Sequence, residues 1–226
     1  MEGRFGRWLL RDGREKAARY ARGRLLEVGI GSGATLALYK PEVLVTGIDI
    51  SPGMLAIARA RQEQLGRDGE VREMDAQALD FPDHSFDSVA FNLVLCTIPD
   101  PARALREAIR IAKPGAPMTF LEHVRSDRIW VALPQDLLNV FSRAFHDRVN
   151  QRTEDLVRAA GVEVLSAERW ALGAMTLIVG RSPGEPGGFV PRTILPAARE
   201  MTMPASLGLP GRTTIGRVAP SSQSAN

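Results

Sequence analysis

The chain has 226 residues, 44% of them hydrophobic, a single cysteine and a formal charge of +3, which suits one domain with a proper core and excludes a disulfide-built fold. No stretch approaches the roughly 20 apolar residues of a membrane-spanning helix, and the charges in MEGRFGRWLLRDGRE break any signal-peptide hydrophobic region, so a soluble cytoplasmic protein is expected. The basicity lies at the ends: residues 1–24 hold eight Arg/Lys against three acids, residues 25–180 hold sixteen against twenty-one, and an acidic body lacks the basic face that nucleic acid requires.

In chain order, residues 1–22 are expected to form an N-terminal helix. Its basic residues, with Phe5, Trp8, Leu9 and Leu10, would form a solvated charged face or touch anionic lipid at a membrane periphery. From Arg24 onward short apolar runs alternate with helical patterns. Strands are predicted over Arg24–Val28, Val43–Ile48, Glu70–Met74, Phe86–Asn92, Pro117–His123, Val162–Glu168 and Ala174–Gly180. Residues 51–65 predict a helix with Ser51 as N-cap and Pro52 at its first position. Asp100-Pro101 repeats that start, Leu105, Ala108, Ile109 and Ala112 follow at helical spacing, and Lys113-Pro114-Gly115 stops the run. Thr153–Ala160 predicts a further helix ended by Gly161. Such alternation implies an α/β fold, with a mostly parallel sheet covered on both faces. Residues 23–181 thus form the domain, and residues 182–226, rich in Pro, Gly and Ser, read as a disordered tail.

The informative segment is Leu25-Leu26-Glu27-Val28-Gly29-Ile30-Gly31-Ser32-Gly33, read as a strand running into a helix. Glycines there allow a tight turn and a close approach of backbone to ligand. Asp49, twenty residues after Gly29, ends the second strand, where a carboxylate accepts from ribose hydroxyls. A dinucleotide fingerprint would read GxGxxG, but here the glycines alternate as GxGxG after Glu27. A carboxylate beside a pyrophosphate is repelled, and one beside an ammonium or a sulfonium is attracted. The pattern therefore favours a positively charged cofactor without phosphates. Asp75, after the third strand, stands where an adenine amino group would donate.

Four segments in order, LLEVGIGSG, VTGIDISPGML, VREMDAQALDFPDHSFDSVAFNLVLCTIPD and KPGAPMTFLEHVRS, resemble the class I S-adenosylmethionine-dependent methyltransferases. The resemblance is greatest to the branch acting on ubiquinone and menaquinone precursors, phospholipids and thiols, and it covers roughly residues 20–180. It implies a Rossmann-like fold with a mostly parallel seven-stranded sheet and helices on both faces. It further implies S-adenosylmethionine as cofactor and a small-molecule or lipid acceptor. Glu27, Gly29 and Gly31 would line the methionine moiety, and Asp49 would hold the ribose. Ile50 and Met54 would pack on the adenine, Asp75 and Ala76 would meet its edge, and Asn92 and Leu93 would sit beside the sulfonium. Gly33 is expected to serve helix–strand packing.

Methyl transfer from a sulfonium requires alignment above all, whereas a hydroxyl or carbon-acid acceptor also needs a base. Glu122 and His123 are the candidates, and as strand neighbours they point to opposite faces. His146 is a weaker one. Residues 127–150, apolar with an arginine frame, read equally as an acceptor lid or as an amphipathic helix on the sheet. The three histidines lack metal-ligand spacing and one cysteine cannot build a thiolate zinc site, so no metal is expected. Two other readings compete. A nicotinamide-dependent oxidoreductase is disfavoured by GxGxG, by Glu27 and by the lack of a Tyr-x-x-x-Lys pair. A cofactor-binding protein without transferase activity would bind and not turn over.

Overall fold

The structure is a computed structural model that describes residues 4–123, 153–171 and 175–184, with the backbone alone for residues 4–10 and 123. The proposed lid at 127–150, His146, the side chains of Phe5 to Leu10, and the tail from 185 onward lie outside the described residues.

Seven strands form one sheet: β1 (Arg24–Val28), β2 (Leu44–Asp49), β3 (Gly69–Glu73), β4 (Ser88–Asn92), β5 (Pro117–His123), β6 (Glu163–Trp170) and β7 (Met175–Arg181). Their spatial order is β3-β2-β1-β4-β5-β7-β6. Strands β1 to β5 are parallel, and β7 runs antiparallel between β5 and β6. The order reverses between β1 and β4, which opens a crevice beyond the carboxyl ends of those two strands. Each predicted strand is present, with ends displaced by a residue or two. This is a Rossmann-like α/β fold.

Four helices are described: α1 (Arg4–Ala18), α2 (Pro52–Gln64), α3 (Pro101–Ile111) and α4 (Thr153–Ala159). The start signals act as expected. Ser51 Oγ accepts from Met54 N and Asp100 Oδ1 from Arg103 N, each followed by Pro at the first helical turn. Among the described residues, no helix is long and apolar enough to cross a membrane.

Strand alternation separates the two faces. Leu26, Val28, Phe91 and Phe120 point to the side where Leu105, Ala108 and Ile111 of α3 and Val157 of α4 pack. Complete burial of Leu105 and Ile111 contributes about 1.5–3 kcal/mol each. Leu25, Val45 and Ala90 point the other way, against Leu55 and Ala58 of α2. On that face Ala17 of α1 joins Leu121, Met175, Leu177 and Val179. Gly13 lets α1 come close, because a Cβ there would lie 2.8 Å from the Trp170 ring and 2.9 Å from Leu121 Cδ1. Asp87, at the opposite end of the sheet from the crevice, accepts from Arg24 N at 2.9 Å and from Lys113 Nζ at 2.6 Å, and so fastens the start of β1.

One expected element is replaced. The glycine segment does not run into an α-helix: turns cover residues 31–35 and only a 3₁₀ turn follows, Leu36–Leu38. Gly29, Gly31 and Gly33 all take positive φ, at 71°, 53° and 70°, so no helical turn can begin among them. Pro41 then arrives too soon for a helix to propagate.

Candidate active site

The crevice is a cleft of two lobes. One, of about 230 Å³, is lined by Val28, Ile48, Ile50, Met74, Asp75 and Ala76, among others. The second, of about 260 Å³, is lined by Arg14, Glu27, Gly31, Thr35, Met54 and Asn92, among others. Gly29, Asp49, Val94 and Thr97 line both, so the lobes meet over the switch point of the sheet.

Asp49 stands at this junction because it ends β2, beside β1. Its Oδ2 accepts from Gly31 N and its Oδ1 from Ser51 N, both at 2.9 Å. A single carboxylate thus ties the glycine turn to the cap of α2. The apolar lobe lies beyond it. Ile50 is 70% exposed, and an isoleucine left open on a cleft wall offers a surface for a flat apolar ligand. Asp75, after β3, is exposed and accepts from Gln77 N at 2.8 Å and from Gln77 Nε2. Gln77 Oε1 in turn accepts from Asp100 N at 3.0 Å, which fixes the lobe's rim. Met54 faces the other lobe, so the structure divides the two residues expected to share the adenine.

The polar lobe is built around Glu27, 1% exposed. Thr35 Oγ1 lies 2.6 and 2.7 Å from its two oxygens, and Asn92 Nδ2 donates to Oε1 at 2.9 Å. The Tyr39 hydroxyl is buried beside this group. Burial pushes the Glu27 carboxyl up, against the pull of these donors, and burial with the neighbouring Glu27 charge pushes the Tyr39 phenol well up. Asn92 Oδ1 is buried and, among the described residues, has no hydrogen-bond partner. An acceptor left open beside a buried carboxylate has the chemistry to hold an ammonium. Arg14 reaches the same lobe from α1, and its positive charge pulls the Glu27 carboxyl down against burial.

The raised Glu27 carboxyl has a consequence for stability. Between its unfolded value, near 4.5, and its higher folded value, the native state binds more protons than the unfolded chain. Stability therefore falls as pH rises through that window and stays lowered above it. Glu27→Gln, with no charge to bury, is expected to unfold at a higher temperature than the wild type at pH 7. Thermal unfolding from pH 4 to 8 should show the gap closing toward the acid end. A gap independent of pH would contradict the assignment of burial as the cause.

The loop after β4 closes the cleft. Leu93 takes a left-handed backbone, φ 60°, and its N donates to Leu121 O at 2.7 Å. Val94 covers the glycine turn: a Cβ on Gly29 would lie 2.3 Å from Val94 Cγ2. Gly33 is packed against Leu36 and Ala58, whereas a Cβ on Gly31 would meet nothing within 4 Å. Glu122, 1% exposed, turns to this loop, with Oε1 accepting from Val94 N at 3.1 Å and Leu95 N at 3.0 Å. His123 ends β5, and its side chain lies outside the described residues.

The cleft therefore brings together Glu27, Gly29, Gly31, Asp49, Ile50, Met54, Asp75, Ala76, Asn92 and Leu93. It adds Arg14, Thr35, Gln77, Val94 and Thr97, which sequence reasoning missed. Gln77 had a local signal, since it lies two residues past Asp75 at a strand end. Arg14 had none, being thirteen residues away from Glu27 in a different element.

Residues 26–120 match the family described as a methyltransferase domain. The chain is 43% identical over 108 residues to a phosphatidylethanolamine N-methyltransferase of Cereibacter sphaeroides, covering 47% of this chain and 53% of that protein. It is 37% identical over 108 residues to a thiol S-methyltransferase of Homo sapiens, covering 46% and 43%. The chain spans about half the length of these curated relatives. Among solved structures, a SAM-dependent methyltransferase from Methanosarcina mazei aligns with a TM-score of 0.61 at 21% identity, covering 74% of this chain and 96% of that one. At that identity the likeness establishes the fold.

Proposed function

We propose that the protein, whose residues 26–120 match the methyltransferase domain family, is an S-adenosylmethionine-dependent methyltransferase acting on a small-molecule or lipid acceptor. The observation that carries the proposal is the buried Asn92 Oδ1, without a hydrogen-bond partner among the described residues, beside the Glu27 carboxylate in a polar lobe joined at Asp49 to an apolar one. That sequence of surfaces suits a ligand with an ammonium at one end, a ribose in the middle and a purine at the other. It suits a dinucleotide poorly, because the glycine turn leads into no α-helix whose N-terminus would receive a pyrophosphate.

In this reading Glu27 attracts the amino-acid ammonium and Asn92 Oδ1 accepts from it, while Gly29 and Gly31 keep the wall thin. Arg14 attracts the carboxylate of the same moiety. Asp49 has lone pairs left for the ribose hydroxyls after its two backbone bonds. Ile50 covers the adenine, and Asp75 accepts from its amino group, with the Ala76 backbone at the edge. Met54 and Leu93 flank the passage to the acceptor. Bound there, S-adenosylmethionine supplies an activated methyl group for in-line transfer to a nucleophile. The chain's own contribution is to align and to exclude water, with Val94 packed on Gly29 and Leu93 fixed to Leu121. The relatives' names span a lipid amine and a thiol, acceptors of the class proposed here. Contact of α1 with a membrane surface belongs to the same proposal.

Calorimetric titration of the purified protein with S-adenosylmethionine, and separately with NAD, tests the cofactor. Micromolar binding of the former alone is expected. Transfer of labelled methyl is then measured on thiols, amines, quinols and phospholipid vesicles. Binding of NAD alone would overturn the proposal, and binding of S-adenosylmethionine without transfer to any acceptor would leave a binding protein in place of an enzyme.

A further inference from the structure

Among the described residues, Glu122 is the one buried acid on the far side of β5 from α1, and the cofactor reading gives it no task. Its face of the strand is set by alternation: Leu121 packs with α1 and Phe120 with the α3 side, so Glu122 shares the face of Phe120. From there Oε1 accepts from two successive backbone N–H groups, those of Val94 and Leu95. Two successive N–H groups converging on one oxygen form an anion-binding concavity. Here the concavity follows a left-handed, non-glycine residue, Leu93, a backbone that persists only where its surroundings fix it. The other fastening is Leu93 N on Leu121 O, supplied by the residue next to Glu122.

The loop so held is the wall shared by both lobes. Val94 and Thr97 line each of them, and Thr97 Oγ1 donates to Val94 O at 2.8 Å. Val94 also presses on Gly29, at the start of the glycine turn. We propose that Glu122 is a positioning residue: its buried carboxylate fixes the strained loop after β4 so that Val94 and Thr97 form the common wall of the cofactor cleft, and its oxygen faces the loop rather than an acceptor as a general base. Its effect on binding rests on the cofactor reading above. Its effect on the loop does not.

The experiment compares wild type, E122Q and E122A by two measurements: amide hydrogen exchange at Val94 and Leu95, and the Kd for S-adenosylmethionine. A glutamine oxygen still accepts both N–H groups, less strongly than a charged one, whereas alanine leaves them without an acceptor. E122A is expected to exchange about tenfold faster at both amides and to bind about tenfold more weakly. E122Q should stay within about threefold of wild type on both. Should E122A fail to fold, E122D replaces it, its shorter arm withdrawing the oxygen from both donors. Unchanged exchange in E122A, or exchange in E122Q as fast as in E122A, would overturn the proposal. So would an E122Q protein with intact exchange and affinity that no longer transfers methyl to an acceptor the wild type uses, since that result would return Glu122 to the base. A wild type that binds no S-adenosylmethionine would refute the cofactor reading and leave the exchange result standing.

Discussion

Asp49→Ala is expected to weaken S-adenosylmethionine binding by about 3 kcal/mol, the upper end of what a charged hydrogen bond contributes. A carboxylate engaged only with ribose would be expected to cost less. Asp49 also accepts from Gly31 N and Ser51 N, so its removal leaves two backbone donors open at the junction of the lobes and frees the glycine turn from α2. Asp49→Asn keeps one oxygen and should lie between the two. Titration calorimetry on the three proteins checks this order, and an unchanged Kd in the alanine variant would remove Asp49 from the cofactor site.

Gly29→Ala is expected to lower folding stability by about 3 kcal/mol. The position has a φ of 71°, which costs a residue with a Cβ about 1–2 kcal/mol. The added carbon would also lie 2.3 Å from Val94 Cγ2 and 2.5 Å from Val94 Cβ, and overpacking of that kind costs about 1–3 kcal/mol. Against a total stability of about 5–15 kcal/mol, that is a large fraction. Gly31→Ala separates the two causes. Its φ is also positive, at 53°, but a Cβ there meets nothing within 4 Å, so it bears the backbone cost alone while placing a methyl on the wall of the polar lobe. Urea denaturation should rank Gly29→Ala well below Gly31→Ala. Equal losses would mean that Val94 does not press on the turn.

Much of the fold was legible because its signals are local. Ser51-Pro52 and Asp100-Pro101 start helices through bonds that span three residues, and the apolar runs of β1, β2, β4, β5 and β7 are strands buried along most of their length, whereas β3 and β6 at the sheet edges are largely exposed. The glycine segment misled at one point, and the reason is also local: three positive-φ glycines and an early proline outweigh the apolar pattern of Leu36 to Tyr39. Asp49 and Asp75 were legible as site residues because they end strands at a fixed distance from the glycines. Glu122 was legible only as a carboxylate near a strand end, with nothing in LEHVRS to say that it faces the loop after β4.

By itself the sequence determined the element types, the alternation that makes an α/β domain, and the ordered motifs that mark a cofactor without phosphates. These follow from backbone preferences and from burial that repeats with the period of each element. Only the tertiary structure decided that β7 lies between β5 and β6, that Arg14 reaches the lobe of Glu27, that Asn92 Oδ1 finds no partner among the described residues, and that Val94 closes on Gly29. Each of these joins residues between 13 and 65 positions apart, or depends on which strand lies beside which. Such contacts are set by how whole elements pack, which no short window of sequence encodes.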